Sequence, residues 1–470
     1  MKPVLYRSTR SQNSENLVDF RRAALAGLAP DGGLYFPTHM PEWTREDFLA
    51  LRGKPYADVA FAVMRPFIGD AVPEDELRSM VRQSYESFAH SAVAPLTQLS
   101  ERLFMLELFH GPTLAFKDFA LQFLGRILHR FLGESGEKLA VIGATSGDTG
   151  SAALYGCYES PHVSLFILHP HKRVSDVQRR QMTTLIADNV HNVAIEGNFD
   201  DCQAIVKKLL YAAPFEAAGI RLGAVNSVNW CRIVAQIAYY VYAALALGAP
   251  DRAVSFSVPT GNFGDIFAGY VAGRMGLPIK KLIVATNAND ILYRFFSRND
   301  YRRETLSHTL APSMDIQSAS NFERLLFDLN DHDGAKTARL MEDFAQRGMV
   351  VPEETFRKTR DIFAARRCDD AQTMATMRET LAKTGQYIDP HTATGVYAAE
   401  RYAEESEEKE PVVALATAHR AKFPDACRAA LYPNDLPLPP ALAALEGKTE
   451  RYDVVSADYD AVREYIARKL

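Results

Sequence analysis

The chain has 470 residues, of which 47% are hydrophobic and 24% charged, with a formal net charge of −5. This is the composition of a globular protein large enough for two or three lobes, and without a long basic run it gives no indication of a nucleic-acid surface. Its 5 cysteines form no CxxC pair and no cluster with histidine, which argues against a disulfide framework and a metal site and indicates a reducing compartment.

Residues 1–95 have a mostly helical pattern, and from residue 103 onward short β-rich runs alternate with helical patterns. The predicted strands lie at 103–109, 138–143, 164–170, 190–197, 253–259, 280–287 and 411–417. Continuous apolar strands separated by helices imply parallel sheets that are covered on both faces. The sequence therefore predicts an α/β protein.

The longest apolar run begins at Ile233 and includes Gln236. It is shorter than a bilayer span and predicts a buried helix. The first 20 residues contain no hydrophobic signal core. Together these features predict a soluble cytoplasmic protein.

Three regions fall outside the α/β alternation and define the predicted domains. We expect a helical N-terminal domain at 1–95, a main region at 96–430, and a C-terminal tail and helix at 431–470. Within the main region we expect a smaller lobe at about 125–225. A polar helical insertion is expected at about 290–385.

Two glycine-containing loops each connect an apolar strand to a helix, TSGDTG at 145–150 and TGNFGD at 260–265. Such junctions direct backbone N–H groups and the positive end of a helix dipole at an anion. One loop alone could be no more than a tight turn, but two at the carboxyl ends of strands favour a ligand site. Neither matches a Walker A or GxGxxG motif.

Lys117 follows a Gly-Pro turn and an apolar tripeptide, and it stands at the start of a predicted helix. An amine in apolar surroundings has a lowered pKa and can condense with an aldehyde. Pyridoxal phosphate is the commonest such partner, and its phosphate needs an anion site like those of the glycine loops. Alternatively, Lys117 could reach water or pair with Asp118 or Asp148.

Two further motifs follow predicted strands. In TAHRAKF, at 417–423, Thr417 could hydrogen-bond a ring nitrogen, and His419 and Lys422 could be functional or structural. The other motif, HPHKRVSDVQRRQ at 169–181, places basic residues beside the hydroxyl of Ser175, which suits a phosphate or a solvated helix face. Its basic side chains are Lys172, Arg173, Arg179 and Arg180.

In this order, HGPTLAFKDF, ATSGDTGSAA, VPTGNFGDIFAGYVAGRMGLP, DPHTATGVYA and ATAHRAKFPDA closely resemble the threonine synthase family. The opening YRSTR and PDGGLYFP resemble the N-terminal domain of that family. The resemblance implies a pyridoxal-phosphate-dependent lyase with the two-lobed tryptophan-synthase-β-like fold. It further implies the last step of threonine biosynthesis, in which O-phospho-L-homoserine and water give L-threonine and phosphate.

The resemblance also implies roles for matching positions. Lys117 is expected to hold the cofactor as a Schiff base, with Thr417 facing its pyridine nitrogen. The expected loop around the cofactor phosphate consists of Gly261, Asn262, Phe263, Gly264 and Asp265. The expected site for the substrate carboxylate, near the ring hydroxyl, consists of Ser146, Gly147, Asp148 and Thr149. The candidates for the substrate phosphate are Arg173, Ser175, Asn229 and Arg232.

The chain departs from the family pattern at two places. Arg420 stands where the family usually carries proline, and His171 and Lys172 occupy a turn that usually has glycine character. Two alternatives therefore accompany the main hypothesis: a dehydratase or amino-acid phospho-lyase on the same fold, and a non-catalytic binding protein. The expected partner is the small-molecule substrate, with no nucleic acid and no membrane, and the protein is a monomer or a dimer.

Overall fold

The computed structural model describes residues 4–12, 16–145, 147–224 and 227–470. Its N-terminal part is helical, as predicted, with a short antiparallel pair of strands in addition. The elements are β1 (Tyr6–Ser8), α1 (Phe20–Ala26), β2 (Tyr35–Pro37), α2 (Arg45–Leu51), α3 (Tyr56–Ile68) and α4 (Glu74–Glu86). The rings of Tyr6 and Phe36 lie 5.9 and 6.1 Å from that of Trp230, so this part packs directly on the main region.

The first half of the main region alternates strands with helices. Its elements are β3 (Leu96–Gln98), β4 (Leu103–Glu107), α5 (Lys117–Ser135), β5 (Lys138–Ala144), α6 (Asp148–Cys157), β6 (Val163–Pro170), α7 (Asp176–Thr183), β7 (Val190–Glu196), α8 (Phe199–Ala212), β8 (Ile220–Gly223) and α9 (Trp230–Ala246). The apolar run from Ile233 lies in α9, which is buried along most of its length, as predicted. Among the described residues, no helix is both long and apolar enough to cross a membrane.

The second half contains a long helical stretch between strands. Its elements are β9 (Val254–Pro259), α10 (Gly264–Arg274), β10 (Ile279–Thr286), α11 (Ile291–Arg298), α12 (Phe322–Leu329), α13 (Gly334–Gln346), α14 (Glu353–Ile362), β11 (Phe363–Arg367), α15 (Asp370–Thr384), α16 (Pro390–Glu405), β12 (Val412–Ala416), α17 (Pro424–Ala429), α18 (Pro440–Ala443), β13 (Asp453–Ser456) and α19 (Tyr459–Lys469). Every residue of β9 and β12 is buried, as expected for strands covered on both faces.

Two sheets organise the main region. The larger has the order β11-β10-β9-β12-β4-β3, and its strands are parallel except for the antiparallel β3–β4 pair. The smaller has the order β13-β7-β6-β5-β8 with all pairs parallel. The predicted α/β class with parallel sheets is confirmed.

Some strands were not predicted from the sequence. β11 lies inside the segment expected to be a helical insertion, yet it extends the larger sheet beside β10. β13 lies in the expected C-terminal tail, pairs with β7, and is followed by α19, which packs on α8. Both strands are short edge strands with polar residues, so their sequences lack the apolar run that revealed the central strands. The boundaries of the predicted domains remain predictions.

The contact between α5 and α6 depends on glycine. A Cβ atom added at Gly125 would lie 1.7 Å from the carbonyl oxygen of Gly156, which is backbone and cannot rotate away. We expect Gly125→Ala to destabilise the protein by about 3 kcal/mol, as overpacking does at rigid contacts. Gly133→Ala in the same helix is the control, because a Cβ atom added there would lie 3.5 Å from its nearest neighbour, His162 Nε2. Thermal unfolding of both variants measures the difference, and equal midpoints would contradict this close approach.

Candidate active site

A cleft of about 810 Å³ lies where the carboxyl ends of the two sheets face each other. The smaller sheet contributes the end of β5 and the start of α6, and the larger sheet contributes the end of β9 and the residues after β12. Ligands of open α/β sheets bind at this edge, because strand-to-helix loops direct their N–H groups there. The predicted lysine and both glycine loops meet in this cleft.

Lys117 is the first residue of α5 and lines the cleft. Only 12% of its side chain is exposed, and its Nζ lies 4.9 Å from the centre of the Phe116 ring. Burial lowers the pKa of Lys117, Asp148 partly opposes this effect, and Lys422 and Arg232 add to it. The pKa of Lys117 is thus lower than that of an exposed lysine, which raises the fraction of neutral, nucleophilic amine, as expected from the apolar sequence around it.

Asp148 lies between two lysines. Its Oδ2 is 3.4 Å from Lys117 Nζ, and its Oδ1 is 2.8 Å from Lys422 Nζ. Gln178 Nε2 also donates to Oδ1 at 3.0 Å. Burial alone would raise the pKa of Asp148, but Lys422 and Lys117 hold it well below its ordinary value. The carboxylate is therefore ionised and fixed in orientation.

The loop from Gly261 to Gly264 forms the opposite wall of the cleft. Phe263 precedes α10 with φ 64° and provides no side-chain cap, so the first N–H groups of the helix are open to a ligand. A Cβ atom at Gly261 would lie 2.7 Å from the carbonyl oxygen of Ser313, so only glycine fits there. These features support the predicted anion-binding role of the loop.

Asp265 has surroundings that differ from the prediction for this loop. Its Oδ1 accepts hydrogen bonds from the hydroxyls of Tyr239 and Tyr240 at 2.5 and 2.9 Å. Burial raises the pKa of Asp265 to about 6, against the effect of these two hydrogen bonds. Asp265 also lines the cleft, and its carboxyl group is held to α9 by these two tyrosines, so the side chain anchors the start of α10 to α9.

Arg232 carries a guanidinium that the protein leaves partly unsatisfied. The residue is 4% exposed and lines the cleft, and its Nε and Nη1 have no hydrogen-bond partner within the described chain. Burial lowers the pKa of Arg232 to about 10. Gln236, one turn further along α9, also lines the cleft and has an unpartnered Oε1. Buried polar groups are normally paired, so Arg232 lacks an acceptor such as an anion, whereas Gln236 lacks a donor.

His391 is a cleft residue that the sequence reasoning missed. Its Nδ1 lies 2.9 Å from Asp389 Oδ1, and the backbone N–H of Ser313 donates to its Nε2 at 3.1 Å. His391 thus connects the start of α16 to the loop that contacts Gly261. The signal was available, because aspartate two residues before histidine at a helix start provides both a cap and a ring partner. Thr417 also lines the cleft, as predicted.

The loop at 145–150 is only partly in the cleft. Asp148 and Thr149 line it, whereas Gly147, with φ 146°, lies behind them, where a Cβ would come within 2.4 Å of Gln178. Ser146 lies outside the described residues. Of the three predicted residues of this loop that the structure describes, Asp148 and Thr149 line the cleft.

Three candidates for the substrate phosphate do not line the cleft in the described structure: Arg173, Ser175 and Asn229. Arg173 is exposed, and the Ser175 hydroxyl caps α7 by accepting from the N–H of Gln178 at 3.3 Å. Asn229 caps α9 and donates to the carbonyl of Ala24 at 2.8 Å. Ser175 and Asn229 carry the expected hydroxyl and amide groups, but these groups cap helices and do not line the cleft. Among the four, Arg232 alone reaches the cleft.

The basic residues at 172–180 include two arginines that contact Glu450 in the C-terminal segment. Arg179 pairs with Glu450 at 2.8 Å and Arg180 lies 3.9 Å from the same residue, while Lys172 is exposed. This pairing ties α7 to the C-terminal segment. His419 Nδ1 accepts from the N–H of Ala421 at 3.2 Å, and burial lowers the pKa of His419 to about 4, which indicates a neutral structural histidine.

The cleft fits pyridoxal phosphate. It combines a buried amine at Lys117, free N–H groups at the start of α10, a glycine that allows close approach, and the hydroxyl of Thr417 at a strand end. Arg232, on α9, also lines the cleft and adds unpartnered N–H groups that suit an anion. The cleft thus combines two groups of anion donors with the amine of Lys117.

Three family models match the chain. They are described as Threonine synthase N terminus over residues 5–85, Pyridoxal-phosphate dependent enzyme over residues 92–366, and Threonine synthase, C-terminal over residues 392–466. A curated threonine synthase from Pseudomonas aeruginosa is 50% identical over 464 residues, which cover 98% of this chain and 98% of that protein. The similarity thus extends over nearly the whole length of both proteins.

The chain is also similar to solved structures of threonine synthases. The chain superposes on pyridoxal-phosphate-bound threonine synthase from Brucella melitensis with a TM-score of 0.95, at 48% identity and 99% coverage of both chains. Against threonine synthase from yeast the TM-score is 0.94, at 38% identity, with 99% of this chain and 98% of that chain covered.

Proposed function

Because this chain belongs to the threonine synthase family of pyridoxal-phosphate-dependent lyases, we propose that it converts O-phospho-L-homoserine and water to L-threonine and phosphate. One observation carries the assignment of the residues. The buried amine of Lys117 shares a cleft with two separate groups of unsatisfied donors, at the start of α10 and on Arg232. Cofactor and substrate each carry one phosphate, which matches these two anion sites in number.

Lys117 is proposed to act in two ways. When bound, pyridoxal phosphate supplies an aldehyde that condenses with amines and a ring that takes up electrons from the adjacent carbon. Lys117 Nζ holds the cofactor until the amine of the substrate takes its place. The freed Nζ then accepts and returns protons at the substrate carbons, for which its lowered pKa is suited.

The remaining residues are proposed to orient the two ligands. The loop from Gly261 to Gly264 would hold the cofactor phosphate at the start of α10, and the hydroxyl of Thr417 would hydrogen-bond the ring nitrogen without charging it. Arg232 binds the phosphate that leaves the substrate, and its unpartnered N–H groups support this role. Thr149, which lines the cleft beside Asp148, is placed for the substrate carboxylate.

Product analysis tests the proposed reaction. With O-phospho-L-homoserine as the only amino acid, we expect phosphate and L-threonine to be released in equal amounts. With L-serine or L-threonine as substrate, we expect little pyruvate or 2-oxobutyrate. If keto acids are the main products, the chain is a dehydratase of this fold. If the protein lacks bound cofactor and releases no phosphate, it is a binding protein.

The basic residues at 172–180 suited a substrate phosphate in the sequence, and a dehydratase does not need to bind one. Because Arg179 and Arg180 lie against Glu450, Arg232 is now the residue proposed for that distinction. A cytoplasmic location remains part of the proposal, and it rests on the free cysteines; cell fractionation tests it.

A further inference from the structure

Lys422 is the second lysine that contacts Asp148, and the reaction as proposed does not use it. It ends a 3₁₀ turn at Arg420–Lys422 and is 0% exposed. Its Nζ lies 2.8 Å from Asp148 Oδ1 and donates to the carbonyl of Thr113 at 2.7 Å. Removing an ammonium group from water is costly, and placing it near Lys117 adds repulsion between like charges. Stability alone does not favour this arrangement.

The contacts of Lys422 lead to Lys117 along two routes. Through Asp148, Lys422 occupies one carboxylate oxygen, and Lys117 lies 3.4 Å from the other. Through Thr113, it fixes the loop before Lys117. The N–H and hydroxyl of Thr113 donate to the carboxylate of Asp118, the residue after Lys117, at 2.9 and 2.7 Å. Both the backbone and the amine of Lys117 are therefore held by groups that Lys422 contacts.

We propose that Lys422 is a positioning residue for Lys117. It holds one oxygen of the Asp148 carboxylate, so that only the other oxygen is left to attract Lys117 Nζ, and it fixes the Thr113 loop that precedes the start of α5. The proposal rests on the proposed role of Lys117 as the amine that moves protons. Lys422 then sets the charge state of that amine without itself contacting the reacting atoms.

The charged groups around Lys117 determine whether removal of Lys422 raises or lowers the pKa of Lys117. Asp148 from α6 favours its charged form, whereas Lys422 and Arg232, from the 3₁₀ turn and α9, disfavour it. Asp265 on α10 also faces Lys117. Removing Lys422 deletes a like charge and frees Asp148 to attract Lys117 more strongly. Both changes raise the pKa of Lys117 and reduce the fraction of neutral amine near pH 7.

The test measures Lys117 directly. In the full chain freed of cofactor, competitive acetylation across pH, read by mass spectrometry, gives the pKa of Lys117. We expect Lys422→Met to raise it by about one unit, the size of shift that a charge within 4–6 Å produces. Asp148→Asn is expected to lower it, and Lys422→Arg to keep it near the parent value. Lys358→Met removes a partly buried lysine that donates to the carbonyl of Leu329, and it serves as the control.

The loaded enzyme provides a second readout. At neutral pH, kcat of Lys422→Met is expected to fall roughly tenfold, in proportion to the neutral amine, and to recover at higher pH. Lys422→Arg is expected to restore both kcat and its pH profile. A purely structural lysine would change stability and leave the pH profile in place.

Three results would overturn the proposal: an unchanged pKa of Lys117 in Lys422→Met, a lowered one, or an Arg variant as impaired as the Met variant. If Lys422→Met does not fold, the Asp148→Asn variant provides the test. An unchanged pKa of Lys117 in that variant would contradict the route through the Asp148 carboxylate. The acetylation measurement needs no substrate. A wrong assignment of the overall reaction would appear instead as absent phosphate release by the parent protein.

Discussion

Lys117→Ala is expected to abolish threonine formation, with kcat reduced by at least about 10³-fold, since both the covalent anchor and the proton-transfer group are lost. The side chain is buried at the cleft, and no other described lysine except Lys422 approaches the same carboxylate. Lys422 is held by the carbonyl of Thr113 and by Asp148, so it is not free to replace Lys117.

Two measurements check this prediction. After borohydride reduction, the mass of the cofactor is expected on the peptide containing Lys117 in the parent protein and on no peptide in the variant. Weak cofactor binding through the α10 loop is expected to persist, and dialysis should remove it. Lys281→Ala is the control, because Lys281 is a half-buried lysine that donates to the carbonyls of Arg360 and Asp361 and does not line the cleft. Full activity of Lys117→Ala, or labelling at another lysine, would refute the assignment.

Arg232→Met is expected to have opposite effects on activity and stability. Substrate turnover should fall by roughly 10²-fold or more, because a buried charged hydrogen-bond donor to the phosphate is lost. The free protein should become more stable, since an unpaired buried guanidinium is removed. A pKa of Arg232 lowered to about 10 corresponds to a cost on the order of 3 kcal/mol for holding the charge there.

Arg324→Met is the matched control for this experiment. Arg324 is also fully buried, but it donates to the carbonyls of Tyr35 and Val228 at 2.9 and 2.5 Å and to the side chain of Asn321. Its removal leaves acceptors unsatisfied and should lower the thermal midpoint, whereas removal of Arg232 should raise it. With the cofactor in place on the α10 loop, added phosphate should stabilise the parent more than Arg232→Met. If phosphate stabilises both equally, Arg232 is not the anion site.

Asp265 contributes to the dependence of the free energy of unfolding on pH. The pKa of Asp265 is raised to about 6 by burial, so the folded state binds more protons than the unfolded state between about pH 4 and 6. Asp265 therefore lowers stability as pH rises through that window. Asp265→Asn should flatten this slope. Thermal midpoints measured at pH 4.5 and 6.5 compare the two proteins, and an unchanged slope would contradict the shift.

The sequence predicted those parts of the site that have a recognisable pattern within a few neighbouring residues. The two glycine loops, Lys117 and Thr417 each adjoin a strand or a helix start, and the carboxyl ends of parallel strands necessarily share one edge of a sheet. Once the strands were identified as apolar runs, the cleft followed from topology. The central strands β4, β5, β6, β7, β9, β10 and β12 were found for the same reason. The edge strands β11 and β13 were missed, because an edge strand needs no apolar run.

The sequence by itself determined the α/β class and indicated the buried amine and the glycine loop before α10, because these depend on periodicity and on residues within one strand–loop–helix unit. Only the tertiary structure decided which cations face the cleft. Arg179 and Arg232 both lie on helices after a loop, but Glu450 reaches the former across the chain, while no described partner reaches the latter at Nε and Nη1. Whether a charge is neutralised depends on neighbours far away in sequence, and no local spacing encodes them.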